Sequence, residues 1–186
     1  MASKGVKRQD PMEEELEILF DEQAIAQKVG DMAAQISRDH AGKDLVLVCV
    51  LKGAALFTAD LARRLFIPAV LDFVQAASHG SGTESSGTVT VTKDIDTDIG
   101  GKHVVIVDGI IDSGRTLALL VKRYRELRPA GLKTAVLLDK HSRRTVDVPI
   151  DYRGFEIPDR FVVGYGMDWG EKYRNLPYIA VMKNSE

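Results

Sequence analysis

Short unbroken aliphatic runs alternate along this chain with stretches in which apolar residues recur every three or four positions. Such switching between periods predicts strands interleaved with helices. Leu16 to Phe20 reads as a short strand, and Asp21 can cap a helix starting at Glu22. Ile25, Val29, Met32, Ala33 and Ile36 form its apolar face, and Gly42 is placed to stop it. Leu45 to Val50 is the composition of a fully buried strand, Lys52-Gly53 a turn, and Ala54 to Leu65 a helix that ends before Pro68. Val70 to Ala76 is a further strand. Ser78 to Gly87 follows with almost no packing side chains, then Thr88 to Lys93 alternates in strand fashion. Gly100-Gly101 turns the chain into Val104 to Val107, a β-branched run that ends at Asp108. Arg115 to Leu127 suits a helix, Pro129 and Gly131 lead into strand Lys133 to Leu138, and Phe161 to Gly164 and Tyr178 to Met182 read as two short strands.

Strands alternating with helices at this spacing imply an α/β fold with a mainly parallel sheet covered on both faces. Ligands of such sheets bind outside the carboxyl ends of the strands, which gathers the segments after Val50, Val107 and Leu138 around one crevice. With 186 residues the chain suits a single domain, its first dozen residues (1–12) a loose tail. A formal charge of −2 argues against a nucleic-acid surface, since phosphate-backbone binders carry a basic excess. The local cluster Lys140, His141, Arg143, Arg144 is as readily a solvated loop as a functional one. Cys49, the lone thiol, lies in an aliphatic strand and reads as a core residue of a protein in a reducing cytoplasm. No apolar run approaches a membrane span, so no membrane partner is expected.

The candidate chemistry lies where the strand Val104 to Val107 meets its helix. Asp108 closes the strand, and Asp112, Ser113, Gly114 and Thr116 occupy the turn. Hydroxyls and unobstructed N–H groups at a helix start bind phosphate well. The two carboxylates beside that cradle must serve something else: sugar hydroxyls, a metal or a proton. A ligand combining phosphate with ribose fits best. The run from Val104 to Leu117 resembles the phosphoribosyl-pyrophosphate (PRPP) signature of the type I phosphoribosyltransferases, with Asp108, the aliphatics Ile110 and Ile111, and Asp112 to Thr116 in agreement. Gly109 departs, standing where the family usually carries a second acid. The resemblance implies a twisted, mainly parallel sheet flanked by helices, with a small hood built from about residues 13–20 and 150–186.

Four further segments match the hypoxanthine-guanine branch of that family, and the resemblance runs from about Leu16 to Met182. Leu51, Lys52 and Gly53 match a pyrophosphate loop that often has a non-proline cis peptide between its first two residues. Ser78, His79 and Gly80 open the polar stretch that family members close over the reaction centre; the usual pair there is Ser-Tyr, and His79 departs from it. Lys140 matches a lysine that donates to O-6 of the purine. In the run Gly154 to Pro177, Phe161 matches a purine-stacking ring and Val162 a backbone contact to the purine edge. Asp168, grouped by the resemblance with the purine contacts, matches a carboxylate that holds magnesium near the diphosphate, with Asp108 as the other metal ligand, and Arg174 matches a diphosphate-binding arginine. Taken singly these residues have plainer readings: a solvated lysine, core aromatics at Phe161 and Trp169, and a surface ion pair between Asp168 and Arg174.

The resemblance implies a magnesium-dependent transfer of the 5-phosphoribosyl group from PRPP to N-9 of hypoxanthine or guanine, giving IMP or GMP and pyrophosphate. The PRPP contacts would be Asp108, Gly109, Ile111, Asp112, Ser113, Gly114, Arg115 and Thr116. Asp112 is the candidate general base for the N-7 proton. Without the acid at 109, weaker PRPP binding or a greater magnesium demand is expected. Self-association as a dimer or tetramer is expected by the same analogy. The competing readings are transfer to another base such as xanthine, and a regulatory RNA-binding protein on the same fold. No G-x-G-x-x-G follows a first strand, which disfavours a dinucleotide-binding domain.

Overall fold

Strand β2 (Leu45–Leu51) shows how the layers form. Leu45 and Leu47 pack into one apolar cluster and Val46, Val48 and Val50 into another, because successive strand side chains leave opposite faces. The first cluster also holds Ile25, Val29, Met32 and Ile36 of α1 (Glu22–Asp39) and Phe57 and Leu61 of α2 (Ala55–Arg64). The second holds Leu117, Leu120, Val121 and Tyr124 of α3 (Arg115–Glu126). A three-layer sandwich results, as the alternation of strand and helix predicted. This computed structural model describes residues 16–78 and 89–183.

The large sheet has six strands in the order β4 (Val89–Lys93), β3 (Ala69–Ser78), β2, β5 (His103–Ile111), β6 (Gly131–Asp139), β7 (Tyr152–Glu156). All neighbours are parallel except β3 and β4, so the sheet is mainly parallel with one antiparallel edge. A second, antiparallel sheet has the order β1 (Leu16–Phe20), β9 (Ile179–Met182), β8 (Val162–Val163). It forms the hood and shares the α1–α2 core through Val162, Tyr165, Met167, Ile179 and Val181.

Several expectations shift. β5 does not end at Asp108: its ladder with β6 continues through Ile110 opposite Leu138 and Ile111 opposite Asp139, carrying Gly109 inside the strand. β7, inside the segment expected to start the hood at about residue 150, is instead the edge of the large sheet. Its mixed sequence, Tyr-Arg-Gly-Phe-Glu, has no clean alternation. α1 ends at Asp39, and Gly42, with φ at +73°, turns the chain just beyond it as expected, while the His40 ring Nδ1 lies 2.9 Å from the Ile36 carbonyl oxygen. Its start is as expected, with Asp21 Oδ1 accepting from the Ala24 N–H at 2.8 Å.

Candidate active site

The carboxyl ends of β2, β5 and β6 face the hood across a cleft of about 850 Å³. Along its wall from β5 run Asp108, Ile110, Ile111 and then the turn Asp112 to Thr116. Gly114 caps α3 with φ at +85°, a conformation that side chains rarely adopt. A Cβ there would also sit 2.7 Å from the Val146 carbonyl oxygen and 2.8 Å from Arg144 Cδ. The back of the turn is tied down. Ser113 accepts from the Thr145 N–H at 3.0 Å and the Val146 N–H at 3.1 Å, and Arg144 Nε donates to the Asp112 carbonyl at 3.2 Å. Arg144 is itself held by the fully buried Asp139 carboxylate, which Arg153 Nε approaches at 3.0 Å. With its carbonyls drawn backward, the turn presents the first N–H groups of α3, which have no intrahelical acceptor, to the cleft.

The carboxylates differ in surroundings. Burial pushes the Asp108 carboxyl up to about 7, partly opposed by hydrogen bonds from the Gly109 and Ile110 N–H groups. Asp112 is half-exposed and ion-paired with Arg143, whose Nε lies 2.9 Å from Oδ1. Arg143 also reaches Asp159 at 3.3 Å, and the nearly buried Lys140 ammonium lies 4.0 Å from the same carboxylate. The basic cluster is exposed at His141 and Arg143, yet its arginines have partners: Arg144 braces the turn after β5 and Arg143 sits on Asp112. Sequence reasoning missed both partnerships, which depend on the one-turn 3-10 helix His141–Arg143 folding back toward that turn. Gly109 is turned away from the cleft wall. A Cβ on it would meet the Gly53 carbonyl oxygen at 3.0 Å and Met167 Sδ at 3.3 Å, so this position packs against the loop after β2.

That loop begins with a cis peptide between Leu51 and Lys52, as the resemblance implied. Lys52 Nζ pairs with Glu171 Oε2 at 2.9 Å. Across from it, Arg174 pairs with Asp168 at 2.8 Å and with Glu171 at 3.3 Å, and donates through Nη1 to the Gly166 carbonyl at 2.7 Å. Asp168 Oδ2 accepts from the Glu171 N–H at 2.9 Å, which closes the hood loop on itself. Both readings of Asp168 and Arg174 thus meet: the two are an ion pair, and both line the cleft. Glu171 was not foreseen. Its only signal in the chain is its spacing, three residues after Asp168 and three before Arg174.

Phe161 and Val162 line the same cleft as Lys140. The Phe161 ring is partly exposed and meets Trp169 edge-on, with centroids 4.8 Å apart and planes at 86°. The ring, 38% exposed, is thus partly open to a flat ligand. Tyr165 Oη donates to Asp60 at 2.6 Å and anchors the hood loop to α2. Ser78 ends β3, while His79 and Gly80 lie outside the described residues.

Asp108 and Asp168 suit a hard cation, since both line the cleft and supply oxygen donors only. Among the described residues no group of three or more His, Cys, Asp or Glu side chains is arranged to hold a metal ion. Magnesium does not require one, because it keeps several waters and takes one or two carboxylates beside substrate phosphates.

Residues 15–169 match the phosphoribosyl transferase domain. A hypoxanthine-guanine phosphoribosyltransferase of Streptococcus thermophilus is 43% identical over 166 residues, covering 89% of this chain and 92% of that protein. The crystal structure of a Staphylococcus aureus hypoxanthine phosphoribosyltransferase superposes with a TM-score of 0.90 at 39% identity, covering 95% of this chain and 97% of the other. A solved Trypanosoma cruzi hypoxanthine phosphoribosyl transferase, studied for the role of its C-terminal region in oligomeric state and enzymatic activity, has a TM-score of 0.83 at 41% identity, with 89% and 90% covered.

Proposed function

The chain belongs to the phosphoribosyltransferase family, in its hypoxanthine-guanine branch, and from that premise we propose that it salvages 6-oxopurines by taking the 5-phosphoribosyl group from PRPP onto N-9 of hypoxanthine or guanine. One observation carries this reading: the braced phosphate turn, the Lys140 ammonium and the Phe161 ring face one cleft. Ser113 to Thr116 would hold the 5-phosphate, Asp108 the ribose hydroxyls, and Lys52, Gly53 and Arg174 the diphosphate. Lys140 would donate to O-6, which opposes adenine because an amino group there sets donor against donor. The Val162 backbone would read the purine edge.

Bond breaking at the anomeric carbon leaves positive charge on the sugar and negative charge on the diphosphate. The chain's own cations face the diphosphate, so catalysis rests largely on positioning and preorganised charge. Magnesium held by Asp108 and Asp168 would add Lewis-acid stabilisation of that leaving group. Asp112 would accept the N-7 proton once its partner Arg143 yields the carboxylate to the incoming base. No acid at position 109 is required in this scheme. Self-association is supported by the apolar side chains of Phe66, Leu71 and Phe73, which remain exposed beside β3. Among the described residues no helix is long and apolar enough to cross a membrane, and the buried Cys49 thiol accords with a reducing cytoplasm.

An absorbance assay of PRPP with hypoxanthine, guanine, xanthine or adenine, with and without magnesium, tests the proposal. Turnover of the first two, dependent on magnesium, is expected. Preference for xanthine would move the substrate assignment, and no turnover of any purine would end it.

A further inference from the structure

Glu171 has no role in the scheme above, yet its carboxylate joins the two cations assigned to the leaving group. A single oxygen, Oε2, lies 2.9 Å from Lys52 Nζ and 3.3 Å from Arg174. The two cations come from opposite walls, Lys52 from the loop after β2 and Arg174 from the hood loop. Glu171 reaches them from the rim with its backbone in the left-handed region, φ 68°, and its N–H held by Asp168. A bulky residue is rarely found in that conformation, and here the Asp168 bond fixes the direction from which the carboxylate enters.

We propose that Glu171 is an internal anion that competes with diphosphate for Lys52 and Arg174 and so promotes release of the leaving group. This rests on the reading of those two cations as diphosphate ligands. The pair is well placed to exchange. Lys52 and Glu171 side chains are 56% and 65% exposed, so the bridge is weak and easily displaced by a more highly charged anion. PRPP displaces it because its 5-phosphate and ribose are held at the other end of the cleft. After the glycosidic bond breaks, free diphosphate has lost that anchorage and meets a tethered competitor. A site whose binding-competent form is only part of the population shows a proportionally weaker apparent affinity. Glu171 therefore weakens the apparent affinity of PRPP and of free diphosphate by the same factor, and free diphosphate, without the 5-phosphate and ribose contacts, has the smaller margin to lose.

Calorimetric titration of pyrophosphate with magnesium, on the wild-type protein, Glu171→Gln, Glu171→Asp and Lys52→Met, tests this. Glu171→Gln should bind pyrophosphate about threefold tighter, the scale of an exposed ion pair. Its product-inhibition constant should fall, and its PRPP affinity rise, by the same factor. Glu171→Asp, one methylene shorter, should lie between wild type and Gln. If Lys52→Met weakens pyrophosphate binding while Glu171→Gln leaves it unchanged or weakens it too, Glu171 is a structural strut and the proposal is overturned. If Lys52→Met leaves pyrophosphate binding unchanged, the diphosphate assignment itself fails and takes this role with it.

Discussion

The two ends of the cleft are built on different principles. At the phosphate end, the carbonyls of Asp112 and Ser113 are tied to Arg144, Thr145 and Val146, and Arg144 rests on a carboxylate with no exposure. At the diphosphate end, Lys52, Asp168, Glu171 and Arg174 are joined by ion pairs, of which Lys52–Glu171 is open to solvent and Asp168–Arg174 partly buried. Buried, hydrogen-bonded braces hold one geometry, whereas exposed pairs contribute little and exchange readily. The contrast follows the proposed chemistry: the group that remains on the product sits in the fixed cradle, and the group that departs sits among replaceable partners. Rigidity is placed where the substrate must be aimed, and lability where it must leave.

Asp112, between the ends, should show the largest effect. Asp112→Asn keeps the braced backbone and should retain PRPP binding by calorimetry, yet lose turnover by about a hundredfold or more, the range of a general base. Near-normal turnover would remove it from that role. Arg144→Met sharpens the contrast directly. It deprives the buried Asp139 carboxylate of a partner and should lower unfolding free energy by about 2–3 kcal/mol, discounted from the full buried-pair value because Arg153 remains. Lys52→Met loses only an exposed pair and should cost less than about 1 kcal/mol. Equal losses in urea titrations would erase the distinction between the ends. Gly114→Ala combines the left-handed φ with the close Val146 carbonyl and should cost about 2 kcal/mol. Ribose 5-phosphate affinity should fall with it while pyrophosphate affinity does not.

Asp108 should give an effect that depends on pH. Its carboxyl is raised from 3.8 to about 7 by burial. Between those values the unfolded chain has ionised while the folded one still holds the proton, so wild-type stability falls as pH rises. Above the folded value both states are ionised and the difference is constant. Asp108→Asn removes the titration. Its stability advantage over wild type should therefore grow between about pH 4 and pH 7 and then level off. A pH-independent difference in denaturation midpoints would show that Asp108 is not shielded from water.

What could be read from the chain divides along the same line. β2, β5 and β6 were legible because they are runs of aliphatics buried on both faces, and the phosphate turn because its chemistry is local to Asp112–Thr116. β7 was not. Its Tyr152 is held by Asp39 and Lys133, partners distant in sequence, rather than by any pattern of its own. The ion partners were equally hidden: nothing near Lys52 points to Glu171, 119 residues away. Nor does the local sequence around Asp112 announce Arg143. Gly109 was recognised as a missing acid, but only the approach of Gly53 and Met167 shows that the position faces the diphosphate loop and not the open cleft.

A crystal structure with IMP bound tests the central claim most directly. The phosphate should lie within hydrogen-bonding distance of the N–H groups of residues 113–116, with the ring on Phe161 and O-6 beside the Lys140 ammonium. A nucleotide seated elsewhere, or with its phosphate among Lys52 and Arg174 and its base over the α3 turn, would contradict the assignment of the two ends.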